Sequence, residues 1–200
     1  MTETEIKLHW DGTAEEARAL LGAHGYALAE PRIFEDNQLF DLASGRLQES
    51  DQVLRLRITS SPAGHTRAMV TYKGPAAREI YKSREEIEFE VSDAVAFVLV
   101  LHRLGYRRGF RYEKFRSTFR GNGEPGLLTI DQVPIGIYLE LEGPQDWIDI
   151  AANRLGFSRD KFLTASYASL YGQYREQHPS APADMTFDLE SPYISTTKTP

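Results

Sequence analysis

Charged residues recur at a spacing of two along this chain. Glu3, Glu5 and Lys7 alternate with Thr4 and Ile6, and Arg55 and Arg57 with Leu54, Leu56 and Ile58. Lys82, Arg84, Glu86 and Glu88 oppose Ile87 and Phe89, Lys114 and Arg116 flank Phe115, and Glu140 and Glu142 alternate with Leu139 and Leu141. Lys73 closes a further run beside Gly74 and Pro75. Residues two apart in an extended strand share a face, so each run sorts its charges to one side. Cations gathered this way can hold a polyanion, Arg through bidentate hydrogen bonds and Lys as a point charge. The carboxylates cannot. The pairs Glu3/Glu5 and Glu140/Glu142 instead offer the hard oxygen ligands that Mg2+ or Mn2+ prefers when it also bridges phosphates. Both kinds of charge together are what a metal–triphosphate complex requires.

The elements that must carry these residues are mostly strands. Alternating runs are expected at Thr2–Trp10, Arg32–Asp41, Gln52–Thr59, Thr66–Lys73, Ile80–Val91, Tyr106–Arg120, Leu127–Gln132 and Gly136–Gly143. Thr13-Ala-Glu-Glu16 has the form of a capping box and opens a short helix to about Gly22. Helices are also expected over Ser92–Leu104, Gln145–Leu155 and Lys161–Tyr174. The count of about eight strands, joined mostly by short turns, predicts a mainly β (α+β) fold, an eight-stranded antiparallel β-barrel with helices packed outside. On a single strand, a charged face is explained as well by solvent. Its recurrence on strand after strand, with helices covering the apolar side, points the charges into the lumen. Eight strands enclose room for side chains or one small ligand, and charges held there must pair or meet a charged ligand.

Composition excludes other classes. With 23 Lys+Arg against 29 Asp+Glu, a net charge of −6, the chain lacks the cationic footprint of a nucleic-acid binder. It has no Cys, hence no disulfide framework, thiolate metal site or cysteine nucleophile. No apolar run suits a signal peptide or membrane span, so a cytoplasmic location is expected. No nucleophile elbow, P-loop or dinucleotide fingerprint is present, and His9, His24, His65, His102 and His178 are scattered without ligand spacing. Phe110, Phe115 and Phe119 read as core, while Tyr72 and Tyr138 suit either core or site. The working domain is 1–177. The stretch 178–200 holds four of the ten prolines among Ser and Thr and reads as an extended or disordered tail.

In order, the runs Glu3-Thr-Glu5-Ile-Lys7, Leu54-Arg55-Leu56-Arg57, Thr71-Tyr72-Lys73-Gly74-Pro75, Lys82-Ser-Arg84-Glu-Glu86-Ile-Glu88, Glu113-Lys114-Phe115-Arg116, Thr129-Ile-Asp131 and Tyr138-Leu-Glu140-Leu-Glu142 resemble the CYTH superfamily. These are the triphosphate tunnel metalloenzymes, which include class IV adenylyl cyclases and thiamine triphosphatases. Ser166-Tyr-Ala-Ser-Leu170 is similar to the family's closing helix, and the match spans roughly 3–171. The resemblance implies that Glu3, Glu5, Glu140 and Glu142 hold Mg2+ or Mn2+. It implies that Lys7, Arg55, Arg57, Lys73, Arg84, Lys114 and Arg116 grip the triphosphate, and that Glu86 and Glu88 are further tunnel acids. Lys7, Arg55 and Asp131 are the candidate catalytic residues, with Asp131 left to position a metal, a basic residue or the nucleophile. Glu35-Asp36-Asn-Gln-Leu-Phe40-Asp41 departs from the family's strand and aligns only at Asp36 and the Phe-Asp pair. The implied reaction is first the cyclase, ATP to cyclic AMP and pyrophosphate. The alternatives are a triphosphatase acting on thiamine triphosphate, inorganic triphosphate or a nucleotide, and a non-catalytic module for polyphosphate or nucleotide. An apolar-ligand barrel would need the opposite parity. Monomer and homodimer both remain open.

Overall fold

The computed structural model describes residues 2–187 of the chain. Its strands are β1 (Thr2–Trp10), β2 (Tyr26–Leu42), β3 (Val53–Ser60), β4 (Thr66–Lys73), the two-residue β5 (Ala77–Arg78), β6 (Lys82–Val91), β7 (Tyr106–Gly121), β8 (Leu127–Val133) and β9 (Gly136–Glu142). The sheet order is β1-β9-β8-β7-β2-β3-β4-β6-β5, and β1 also pairs with β6. That last pairing closes eight antiparallel strands into a barrel and leaves β5 as an extra strand on β6. The helices are α1 (Ala14–Ala23), α2 (Arg46–Glu49), α3 (Ala94–Arg103), α4 (Gln145–Arg154) and α5 (Tyr167–Gln177).

Local signals set these elements. Thr13 and Glu16 form the expected capping box at α1, the Thr13 hydroxyl accepting from the Glu16 N–H at 3.2 Å while Glu16 accepts from the Thr13 N–H at 2.7 Å. Asp93 caps α3 through the Ala96 N–H at 2.9 Å. The last helix begins at Tyr167, after a 3-10 turn over Arg159–Lys161, later than its sequence signal, because Ser166 supplies its cap. Strand β2 starts ahead of expectation at Tyr26 and bends through irregular pairings near Glu30.

The outer apolar faces of β1, β8 and β9, including Ile6, Leu8, Leu128, Leu139 and Leu141, form the main core under α1 and α4. Gly126 is required there, since a Cβ would lie 2.3 Å from the Trp147 ring. Helix α3 covers Phe40, Leu56 and Val70 on the opposite flank. The cover is incomplete: Ile87 and Phe89, on the outer face of β6, are each 50% exposed. The expectation that helices cover the whole apolar face is corrected to that extent, because the cluster under α3 takes in β2, β3 and β4 but only Val91, at the end of β6.

Of the expected tail, 178–187 is described and 188–200 lies outside the described residues. The described part begins with a turn in which the Ala181 N–H donates to the His178 carbonyl, and it is anchored further on: Met185 pairs in parallel with Tyr112 and is fully buried. No helix among the described residues is long and apolar enough to cross a membrane.

Candidate functional site

Strand register places opposite charges face to face inside the barrel. Directly opposed are Glu3 and Arg84, Glu5 and Lys82, Lys7 and Glu140, Glu35 and Lys114, Lys73 and Glu86, and Arg116 and Asp131. Opposed opposite charges stabilise a sheet and like charges weaken it. Among the described residues the register opposes like charges at Glu5 and Glu142 on the inner face, and at Asp36 and Glu113 on the outer face. A cavity of about 680 Å³ runs through the barrel, and every cation assigned to the triphosphate lines it, together with Glu3, Glu5, Glu86, Glu88, Glu140 and Glu142.

The charges form linked networks. At one end Asp131, fully buried, accepts from Lys114 Nζ at 2.9 Å, from Arg116 Nε and Nη2 at 2.6 Å each, and from the Tyr167 hydroxyl at 2.9 Å. Arg116 also meets Glu140. Lys7 Nζ lies 3.3 Å from both Glu140 and Glu5, and Lys82 donates to Glu5 at 2.5 Å. Across the lumen Arg57 grips Glu88 at 2.9 and 3.1 Å, and Arg55 donates to Thr71 at 3.0 Å, which donates to Glu88 at 2.7 Å. Lys73 pairs with Glu86. Asp131 therefore orients basic residues. Burial would raise its pKa, but Arg116 and Lys114 outweigh that and hold it at about 2, too acidic to act as a base at neutral pH.

The acids divide into two sets. Burial pushes Glu3 up to about 8, reinforced by a hydrogen bond with Glu86 and the charge of Glu142. Glu142 is raised by burial and then by Glu5. Among the described residues no ion pair engages Glu3 or Glu142. Glu5 and Glu140 are instead held by Lys7, Lys82 and Arg116, and both are driven down in pKa, the cationic neighbours overcoming burial. Among the described residues no three acids converge into a coordination sphere. The four carboxylates implied as one metal cluster are thus unequal: Glu3 and Glu142 crowd each other, whereas Glu5 and Glu140 already serve lysine and arginine. On the cationic side, the Nε–H groups of Arg55 and Arg57 are buried without a hydrogen-bond partner among the described residues, and that of Arg84 has only the Glu86 carboxylate, 3.6 Å away. Burial, then Arg55, brings Lys73 down to about 8.

Several site residues had no role in the sequence reading. Lys82 was placed on the charged face only. Glu35 is 1% exposed, 3.4 Å from Lys114 and 3.8 Å from Arg57, while its neighbour Asp36 faces Arg111 at 2.9 Å. Asp41 accepts three backbone N–H groups around α2, from Leu42, Leu47 and Gln48. Tyr167 and Tyr112 close the end of the tunnel under α5, with ring centroids 5.8 Å apart. Tyr138 joins this aromatic floor, 5.7 Å from Tyr167, whereas Tyr72 is half-buried opposite Ile87. The inward rows also change character toward this end. Along β7 they run Arg116, Lys114, Tyr112, Phe110; along β2 Glu35, Asn37, Leu39; along β3 Arg57, Arg55, Val53. Phe110 therefore lines the cavity and differs from Phe119, which is core. A polar grip passes into an apolar chamber rimmed by Leu47, Gln48 and Ser169.

The strands thus form a closed antiparallel barrel whose cavity is lined by buried cations and carboxylates. The sequence profile of the CYTH domain family matches residues 1–154, and the chain belongs to that family. It is 27% identical over 184 residues to a Methanocaldococcus jannaschii protein named "putative adenylate cyclase", covering 86% of this chain and 99% of the relative. A Pyrococcus horikoshii structure is 25% identical with a TM-score of 0.71, covering 86% of this chain and 99% of its own. The same fold is seen in a Hippeastrum protein described as a putative adenylyl cyclase with a dominant triphosphatase activity. That protein is 17% identical with a TM-score of 0.58, covering 88% and 96% of the two chains.

Proposed function

We propose that this chain is a divalent-metal-dependent enzyme that acts on a triphosphate inside the tunnel, and that it converts ATP to cyclic AMP and pyrophosphate. The observation that carries the reading is that the crowded acids Glu3 and Glu142 line the same cavity as Arg55 and Arg57, whose buried Nε–H groups make no hydrogen bond among the described residues. Pure anion binding would favour removing those acids. Their mutual repulsion, with hard oxygen donors, fits Mg2+ or Mn2+.

Glu3 and Glu142 would hold the metal, with Glu5 and Glu140 available if their lysine and arginine partners turn to phosphate. The metal, when bound, neutralises phosphate oxygens and lowers the pKa of a coordinated hydroxyl. The chain's own residues supply position and charge. Arg55, Arg57 and Arg84 offer fixed donors to phosphate oxygens, and Lys73 adds a point charge. Lys114 and Arg116, tied to Asp131, form a frame that needs little reorganisation during the reaction.

The apolar chamber of Leu39, Val53 and Phe110 favours an organic triphosphate over inorganic triphosphate, because a bare polyanion would leave it wet and unused. Triphosphatase activity is the second reading, favoured by the activity described for the Hippeastrum relative. Purified protein given Mg2+ or Mn2+ with ATP, thiamine triphosphate or inorganic triphosphate decides the matter. Cyclic AMP supports the cyclase, orthophosphate selects the triphosphatase, and tight binding without turnover would refute an enzyme.

A further inference from the structure

Strand β7 has one edge fully paired with β2, but β8 covers its other edge only from Phe115 to Phe119. The bare edge beyond is filled by the chain's own C-terminal segment. Glu113 N–H donates to the Met185 carbonyl and Met185 N–H to the Arg111 carbonyl, both at 2.9 Å. The Asp184 carboxylate accepts from Arg111 N–H at 2.8 Å, and Glu113 accepts from Phe187 N–H at 2.9 Å. The Arg111 and Glu113 amides on that edge are thereby answered. From the other side Tyr171 of α5 reaches the carbonyls of Pro182 and Asp184 at 2.9 and 3.2 Å. The Met185 side chain, fully buried, fills a cluster made by Tyr112, Val133, Tyr138, Tyr167 and Tyr171.

That cluster is the floor of the tunnel. Tyr167 donates to Asp131, which holds Lys114 and Arg116, and the Tyr167 ring lies 5.4 Å from Lys7 Nζ and 5.5 Å from Lys114 Nζ. We propose that 182–187 is a latch in cis, and that Met185 is a positioning residue that fixes Tyr167 and, through Asp131, the cations at the closed end of the tunnel. The segment lies beyond residues 1–154 that match the family. The role in substrate binding rests on the triphosphate reading; the latch itself rests on geometry alone.

The latch predicts a selective effect on binding. In Met185→Ala the floor loosens and the KM for the triphosphate rises about fivefold, the scale of one weakened hydrogen bond, with kcat little changed. Met185→Leu, which refills the cluster, restores it. Leu155→Ala, in the separate core under α1 and α4, serves as control and lowers the melting temperature without moving KM. Titration of inorganic triphosphate with Mg2+ into each variant gives the same comparison without turnover. A KM unchanged in Met185→Ala, or raised equally in Leu155→Ala, would overturn the positioning role. Wild-type protein that binds no triphosphate would refute the functional reading instead. The latch is then decided by amide exchange in Tyr171→Phe: faster exchange at Arg111 and Glu113 supports it, and unchanged exchange overturns it.

Discussion

Glu35→Gln should weaken the fold and strengthen anion binding at once. The carboxylate is 1% exposed and sits among Lys114, Arg116, Arg57 and Arg55. Burial alone would raise its pKa, but those four cations together bring it from 4.5 to about 2. At about 1.4 kcal/mol per pH unit, the drop corresponds to about 3 kcal/mol of stability carried by the ionised form at neutral pH. Glutamine keeps the shape and loses the charge, so the variant should be less stable by about that amount at pH 7. A domain stable by about 5–15 kcal/mol survives the loss.

The pH dependence follows from the sign. A depressed folded-state pKa stabilises above the unfolded value of 4.5, and the benefit fades as pH falls from there toward about 2. Urea titrations should give a difference of about 3 kcal/mol at pH 7 that shrinks to roughly half of that or less at pH 3. Inorganic triphosphate should bind the variant more tightly, since the cations lose a competing acid. Equal stability differences at pH 7 and pH 3, or a difference near zero at pH 7, would refute the placement of Glu35 as the counter-charge of this cluster.

Metal binding should expel a proton from Glu3, because a carboxyl with a pKa of about 8 is about nine-tenths protonated at pH 7 and must ionise to bind. Calorimetry of Mg2+ in buffers of different ionisation enthalpy should show this release, and Glu3→Gln should abolish it. Glu142→Gln should abolish metal-dependent turnover while raising the melting temperature, since burial and Glu5 already disfavour its charge. Glu5→Gln should abolish turnover and lower the melting temperature, because it strips the partner from Lys7 and Lys82. Leu39→Asn should raise the KM for ATP about tenfold through the lost apolar contact while leaving binding of inorganic triphosphate unchanged; equal effects on both ligands would remove the chamber from substrate recognition.

What could be read in the sequence was set by period two. Glu3 to Lys7, Arg55/Arg57, Lys114/Arg116 and Glu140/Glu142 each alternate with apolar residues, so their charges share one face, and that face lines the cavity. Glu35 was hidden because Glu35-Asp36-Asn37-Gln38 is polar on both faces, and no alternation tells which acid is inside. Only the register against Lys114 decides it. Met185 was hidden for a related reason. Ala183, Met185 and Phe187 do alternate with Asp184 and Thr186, but so short a run just after Pro179 and Pro182 reads as tail, and only the bare edge of β7 gives it a partner. The carboxylate pairs Glu3/Glu5 and Glu140/Glu142 were legible as charge but not as function, since spacing cannot show that Lys82 and Lys7 already occupy Glu5.

The pairing of nearly every inner charge bears on how such a tunnel can both fold and bind. Unpaired, the buried cations would resist desolvation, so folding requires the acids. Binding a polyanion then requires that some cations change partner. The Asp131 set is the worst placed to do so, because its carboxylate is fully buried and receives Lys114, Arg116 and Tyr167 together. The pair of Arg57 with Glu88 is better placed, since the Glu88 side chain is 37% exposed and water can take over the released carboxylate. Glu5 and Glu140, released by their cations, would stay buried, and the only favourable new partner for them is another cation. Anion and metal should therefore bind together: each phosphate oxygen that draws a lysine from a buried carboxylate leaves an acid that a divalent ion can satisfy. Triphosphate affinity without Mg2+ or Mn2+ should rest on Arg55, Arg57 and Arg84, and the metal should recruit Lys7 and Lys82 to the grip. Titrations of Lys82→Met with and without Mg2+ separate the two steps, and an equal loss of affinity in both would show that the exchange does not occur.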